Sequence, residues 1–163
     1  MDLIKRLCLL RNFKVSDADD PSIVLDSKGG RIKFFICGNE KLDMAYFYKA
    51  YESLEKGICH LIFIYNFATI QIKKLKLYKD VLQVEFFNTN ELTRLLVGNR
   101  FIPKHRQVEP MERDIIFQKF GKENLPLICL TDPIVKLHNF EIDEVIEIER
   151  EGGLYYRLVV MDD

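Results

Sequence analysis

Nothing in the spacing of the cysteines of this chain suggests a metal clip. Cys8, Cys37, Cys59 and Cys129 are scattered, with no CxxC step, and a zinc site needs closer ligands or converging histidines. They read as reduced, mostly buried thiols of a protein held in a reducing compartment. A strong charge of one sign is missing too. The formal net charge of -1 over 163 residues weighs against a broad basic face that grips nucleic acid unaided. No apolar run approaches the ~20 residues of a membrane-spanning helix. Asp2, Lys5, Arg6 and Arg11 interrupt the first apolar residues, so no signal peptide is expected there. Phosphate loops and dinucleotide fingerprints are absent, and Gly29-Gly30 and Gly152-Gly153 read as turns. No internal repeat or low-complexity tract is present.

The 48% hydrophobic and 30% charged content suits one compact domain or two small ones. The charge is uneven. Residues 1–99 hold 15 Lys/Arg and 12 Asp/Glu, a net of +3, and residues 100–163 hold 9 and 13, a net of -4. The first part could lie near phosphates, and the second suits a protein partner.

Periodicity gives the elements. Leu3, Ile4, Leu7, Cys8 and Leu10 form a helical stripe within residues 2–13. Ser22–Asp26 and Arg31–Cys37 read as a hairpin across Lys28-Gly29-Gly30. Leu42, Tyr46, Ala50 and Leu54 recur every four residues, predicting a helix over 40–56 that Gly57 stops. Ile58–Tyr65 is almost wholly apolar, as in a strand covered on both faces. Residues 67–78 fit strand or helix, and a helix is favoured because it completes a β-α-β unit with Val81–Phe87. Asn88 and Glu91 have capping-box spacing for a short helix ending near Gly98. Beyond a boundary at 98–100, Phe101–Val108 is extended. Pro110 opens a helix and Gly121 stops it. Thr131 is the predicted N-cap of a helix from Asp132 to about His138, with Asn139 ending it in a left-handed turn. Val145–Ile148 and Tyr156–Val160 are strands across Gly152-Gly153.

Three segments carry more than periodicity: FIPKH (Phe101–His105), LPLICLTDP (Leu125–Pro133) and YYRLVV (Tyr155–Val160). In this order and spacing, Arg100 to Val160 resembles the assembly domain of the RNA polymerase subunit 5 family, which has an archaeal branch. FIPKH is similar to the family's VPKH element, Leu125-Pro126 with Ile128 to its LPxI, and Asp132-Pro133 to its DP step. Glu144-Val145-Ile146 is similar to the run into its last hairpin, and Tyr156-Arg157 to its closing YR. The family's glycine after the DP helix is Asn139 here. Its basic-glycine turn is Glu141-Ile142-Asp143, and its hairpin loop is shortened to Glu151-Gly152-Gly153.

The resemblance implies an α+β fold. Residues 1–99 would be a small α/β jaw with a mixed sheet, nuclease-like in topology but inactive. Residues 100–163 would be a small β-rich assembly domain with short helices. It implies a non-catalytic structural subunit of a DNA-directed RNA polymerase, with no cofactor or metal of its own and no membrane. The largest subunit and other polymerase subunits would be its partners. Pro103, Lys104, His105, Asp132, Pro133, Tyr156 and Arg157 would form the largest-subunit interface or its support. Asn66, Thr69, Lys73 and Lys74, with Lys76, would lie near downstream double-stranded DNA, held weakly through phosphate; the residues alone favour a solvated helix face. Location would be nuclear, or a cytoplasmic viral factory or virion if the polymerase is viral.

Single residues admit other readings. His105 could be a general base, but no Ser or Cys nucleophile stands in a recognisable arrangement with it, so it reads as structural. His60 reads as a core residue with a satisfied hydrogen bond, and His138 as surface. The alternatives to a polymerase subunit are a free-standing interaction module and a metal-dependent nuclease. Asp26-Ser27-Lys28 has the acid-x-Lys spacing of a nuclease but lies in an expected turn, with Asp20 too near to be its partner acid. The acidic run Glu141, Asp143, Glu144, Glu147, Glu149 and Glu151 is a solvated face, or a rim for a basic patch on a partner.

Overall fold

A computed structural model describes residues 3–15, 22–26, 29–69, 82–96 and 101–162. The chain divides into two compact units, Met1–Leu96 and Val97–Asp163, and the architecture is α+β in both.

The first unit contains α1 (Leu3–Leu10), β1 (Lys14–Val15), β2 (Ile23–Leu25), β3 (Arg31–Ile36), β4 (Lys41–Leu42) and α2 (Met44–Glu52). These are followed by β5 (Ile58–Tyr65), β6 (Phe67–Ala68), β7 (Gln83–Asn88) and α3 (Thr89–Leu96). Its main sheet has the order β1-β2-β3-β5-β7. The β1–β2 and β2–β3 pairs are antiparallel, and β3–β5 and β5–β7 are parallel. The expected hairpin and mixed sheet are therefore present. β5 lies between parallel neighbours with five consecutive buried residues, which explains its continuous apolar run. On one sheet face Phe63 stacks between Phe35 and Phe86, centroids 5.0 and 5.3 Å away, and meets Phe47 of α2 at 5.5 Å. Strand alternation turns His60, Ile62 and Ile64 to the other face.

Several boundaries differ from the sequence reading. The helix predicted over 40–56 begins only at Met44, because Asp43 accepts a hydrogen bond from Tyr46 N as its N-cap. Leu42 is fully buried, but as part of β4, which pairs in parallel with β6. That helix ends at Ser53 rather than Gly57, and Gly57 (φ 88°) instead leads into β5. Phe67 and Ala68 are strand, not helix, held by β4 and by Thr69 N donating to Leu42 O. The rest of the favoured 67–78 helix lies outside the described residues, apart from Thr69. Asn88 caps α3 through its side chain, which accepts from Glu91 N at 3.3 Å. Two cysteines, Cys59 and Cys129, are exposed, whereas Cys8 and Cys37 are buried.

The second unit contains β8 (Lys104–Gln107), α4 (Pro110–Phe120), a 3-10 turn (Lys122–Asn124) and β9 (Leu127–Cys129). It continues with α5 (Pro133–His138), β10 (Val145–Arg150) and β11 (Gly153–Val160). The sheet order is β8-β10-β11-β9, antiparallel except for the β11–β9 pair. Each sheet face buries its own cluster. Val135 and Phe140 cover Ile128, Ile146, Ile148 and Val159 on the α5 side. Ile116 of α4 packs with Val108, Leu125, Val145 and Leu158 on the other. Pro110 and Gly121 bound α4 as the sequence indicated. The N-cap of α5 is Asp132, one residue later than predicted: Asp132 Oδ1 accepts from Ile134 N at 2.8 Å. Thr131 donates instead to Asp162. Asn139 closes α5 at φ 57°, ψ 41°, the left-handed region where Asn is tolerated better than most residues.

Candidate functional site

Register decides which side chains of the second unit act together. His105, Ile148 and Tyr155 lie opposite one another across β8, β10 and β11, and so do Gln107, Ile146 and Arg157. Because side chains alternate along a strand, these rows share the α5 face with Arg150. Lys104, Arg106, Glu147, Glu149 and Tyr156 occupy the α4 face. The dipeptides that read as motifs, Lys104-His105 and Tyr156-Arg157, are thus each split between the two faces. His105 and Arg157 share the α5 face, and His105 feels the charge of Asp132, the cap of α5. Lys104 and Tyr156 lie on the opposite side, and Pro103 supports the α5 face from just before β8.

On the α5 face His105 is half-buried, with Nδ1 2.7 Å from the Pro103 carbonyl oxygen. A carbonyl only accepts, so Nδ1 carries a proton. Burial lowers its pKa, and the Pro103 contact and Asp132 oppose that. The rings of His105 and His138 are 6.4 Å apart, and His138 stacks on Phe140 at 4.9 Å; His138 is partly covered rather than free on the surface. Arg157 donates to Leu127 O at 3.3 Å. Asp132-Pro133 shapes the first turn of α5, one residue as side-chain cap and the other at the first helical position.

On the α4 face lies a charged cluster that sequence reasoning missed. Arg106 reaches both Glu147 (2.8 Å) and Glu112 (3.0 Å). Tyr156 donates to Glu147 Oε2 at 3.4 Å. Burial, then the Glu147 charge, raises the Tyr156 pKa. Lys104, whose side chain is 88% exposed, reaches Glu149 at 3.6 Å. Part of the acidic run therefore has partners within the unit. Strand alternation pairs Arg106 with Glu147 in principle, but no local pattern announces Glu112.

In the first unit Asn66 donates its amide to Gly38 O at 2.8 Å, and exposed Thr69 is anchored through its backbone to Leu42. Lys73, Lys74 and Lys76 lie outside the described residues. Of the acid-x-Lys candidate, Asp26 accepts from Gly30 N at 2.8 Å and so braces a turn; Ser27 and Lys28 lie outside the described residues. A buried cluster around Glu85 has no local signature in the sequence. Arg11 donates to both its oxygens, at 2.8 and 2.7 Å, and His60 Nε2 lies 2.7 Å from Oε1. Burial pushes the Glu85 carboxyl up, but His60 and Arg11 outweigh it and bring the pKa to about 2. Among the described residues no group of three or more His, Cys, Asp or Glu is placed to hold a metal ion.

Comparison with known proteins bears on the second unit. Residues 96–160 match the family described as RNA polymerase Rpb5, C-terminal domain. DNA-directed RNA polymerase subunit Rpo5 of Methanothrix thermoacetophila is 29% identical over 69 residues, covering 38% of this chain and 88% of the relative. The match begins at the end of α3 and takes in the whole four-stranded sheet with α4 and α5, so residues 96–160 of this chain are similar to the C-terminal domain of the RNA polymerase Rpb5 family.

Proposed function

We propose that this chain is a non-catalytic subunit of a multisubunit DNA-directed RNA polymerase, docked on the largest subunit through its C-terminal unit. The observation that carries the reading is the family match over 96–160, which coincides with a complete, independently cored unit. Such a unit scaffolds; catalysis and its metal belong to the large subunits. The N-terminal unit serves as a jaw near downstream duplex, with the Lys-rich segment 73–76 toward phosphate. Its mixed sheet with flanking helices supports that reading. The protein works wherever its polymerase does, in the nucleus or, for a viral enzyme, in a viral factory or virion. Two features weigh against the nuclease alternative: Asp26 braces its own turn, and Glu85 is already occupied by Arg11 and His60.

The test is co-purification. A tagged full-length copy expressed in its native cell should bring down the polymerase large subunits in stoichiometric amounts. Recovery of the chain alone, or with partners unrelated to transcription, removes the proposal.

A further inference from the structure

The second unit is acidic, yet among its described residues two guanidiniums are left without a carboxylate. Lys104, Arg106, Arg113 and Lys122 each reach an acidic side chain within the unit. Among the described residues, Arg150 and Arg157 form no ion pair, although 13 acidic residues lie within 100–163. Arg157 donates to the Leu127 carbonyl, and Arg150 sits over the Tyr155 ring, 5.3 Å from its centroid. Register puts both on the α5 face, with Tyr155, 47% exposed, between them and His105 in the same row. α5 covers the Ile146–Ile148–Val159 part of this face, with half-buried His105 on the far side of Ile148, and leaves the strip of Arg150, Tyr155 and Arg157 outside its core.

From this juxtaposition we infer that the strip is a docking site for an extended, carboxylate-bearing segment of a partner protein. The inference rests on the assembly reading above and specifies the partner's chemistry. Two arguments select a peptide over a nucleic acid. The unit's net charge of -4 repels a polyanion at long range, whereas isolated carboxylates meet the two guanidiniums locally, with bidentate geometry available. The anchor points also match a strand. Arg150 is opposite Gly153, so its backbone is offset from that of Arg157 by about 13 Å along β11 at ~3.3 Å per residue. An extended segment with acidic residues at alternating positions presents all its carboxylates on one face at that repeat. The Tyr155 ring supplies apolar contact between them.

The experiment is NMR titration of the full chain with acetyl-Glu-Ser-Glu-Ser-Glu-amide. The expected result is amide shifts at Arg150, Tyr155 and Arg157, absent with the Gln-for-Glu peptide. Arg150→Gln, at an exposed position, should weaken binding about tenfold, as expected for losing a charged hydrogen bond. Lys122→Gln, which removes an equal charge elsewhere, should leave it unchanged. The inference is overturned if no shifts appear, if Arg150→Gln binds as well as wild type, or if short oligothymidylate binds the same residues more tightly than the peptide. Peptide binding without polymerase co-purification would count against the assembly reading alone. Co-purification without peptide binding would count against the strip alone.

Discussion

Replacing Glu85 with Gln should be among the most damaging single changes in the N-terminal unit, although it alters one atom. Arg11, Glu85 and His60 have side chains only 3%, 15% and 8% exposed. The Arg11 guanidinium also lies 5.8 and 5.5 Å from the Phe13 and Phe87 ring centroids. A carboxyl that titrates at about 2 rather than 4.5 contributes about 3 kcal/mol of stability at neutral pH. Because the folded pKa is depressed, that stability is complete above about pH 4.5 and is lost as pH falls toward 2. Glu85→Gln leaves a buried guanidinium uncompensated, at a cost of about 3–5 kcal/mol. The double replacement Arg11→Met with Glu85→Leu removes both charges and should cost far less. Urea unfolding read through hydrogen exchange at the β5 and β7 amides isolates this unit. A loss below about 1 kcal/mol for Glu85→Gln, or a double variant as unstable as the single, refutes the reasoning.

Other expectations are more local. Phe63→Ala should cost about 3–5 kcal/mol in the same assay, since the ring is fully buried among three other aromatics; a cost under about 2 kcal/mol would mean the pocket collapses around the cavity. Asp132→Ala should destabilise the C-terminal unit by about 1 kcal/mol through loss of the α5 cap, while Thr131→Val leaves that cap intact. Both are read from thermal melts, and a larger effect at Thr131 reverses the cap assignment. Neutralising Lys73 and Lys74 together should lower the salt dependence of DNA binding by the whole polymerase; an unchanged slope removes DNA contact from the role proposed for the first unit.

Much of the fold was legible because local signals were unopposed. The apolar run of β5, the Pro110 and Gly121 bounds of α4, the Asn88 cap and the left-handed Asn139 each follow from a local residue preference. The start of α2 misled because Leu42 fits the helical four-residue repeat, yet its burial comes from pairing with β6, a contact made across more than twenty residues. Thr131 and Asp132 are both good caps, and only the contact with Asp162 separates them. The family motifs fall on β8, β11 and the start of α5, but alternation splits Lys104 from His105 and Tyr156 from Arg157. Arg150 carried no motif and stands out only once the ion pairs of Lys104, Arg106, Arg113 and Lys122 are set beside it. The Arg11–Glu85–His60 cluster draws on three distant segments, and no local pattern connects them.

Attachment of residues 96–160 to a much larger transcribing enzyme can be read out by cross-linking mass spectrometry of the complex purified natively through the tagged full-length chain. The expected result is cross-links from Lys104, Lys122 or Lys136 to the polymerase largest subunit. A purified complex containing no polymerase subunit, or one joined to them solely through the first unit, contradicts it.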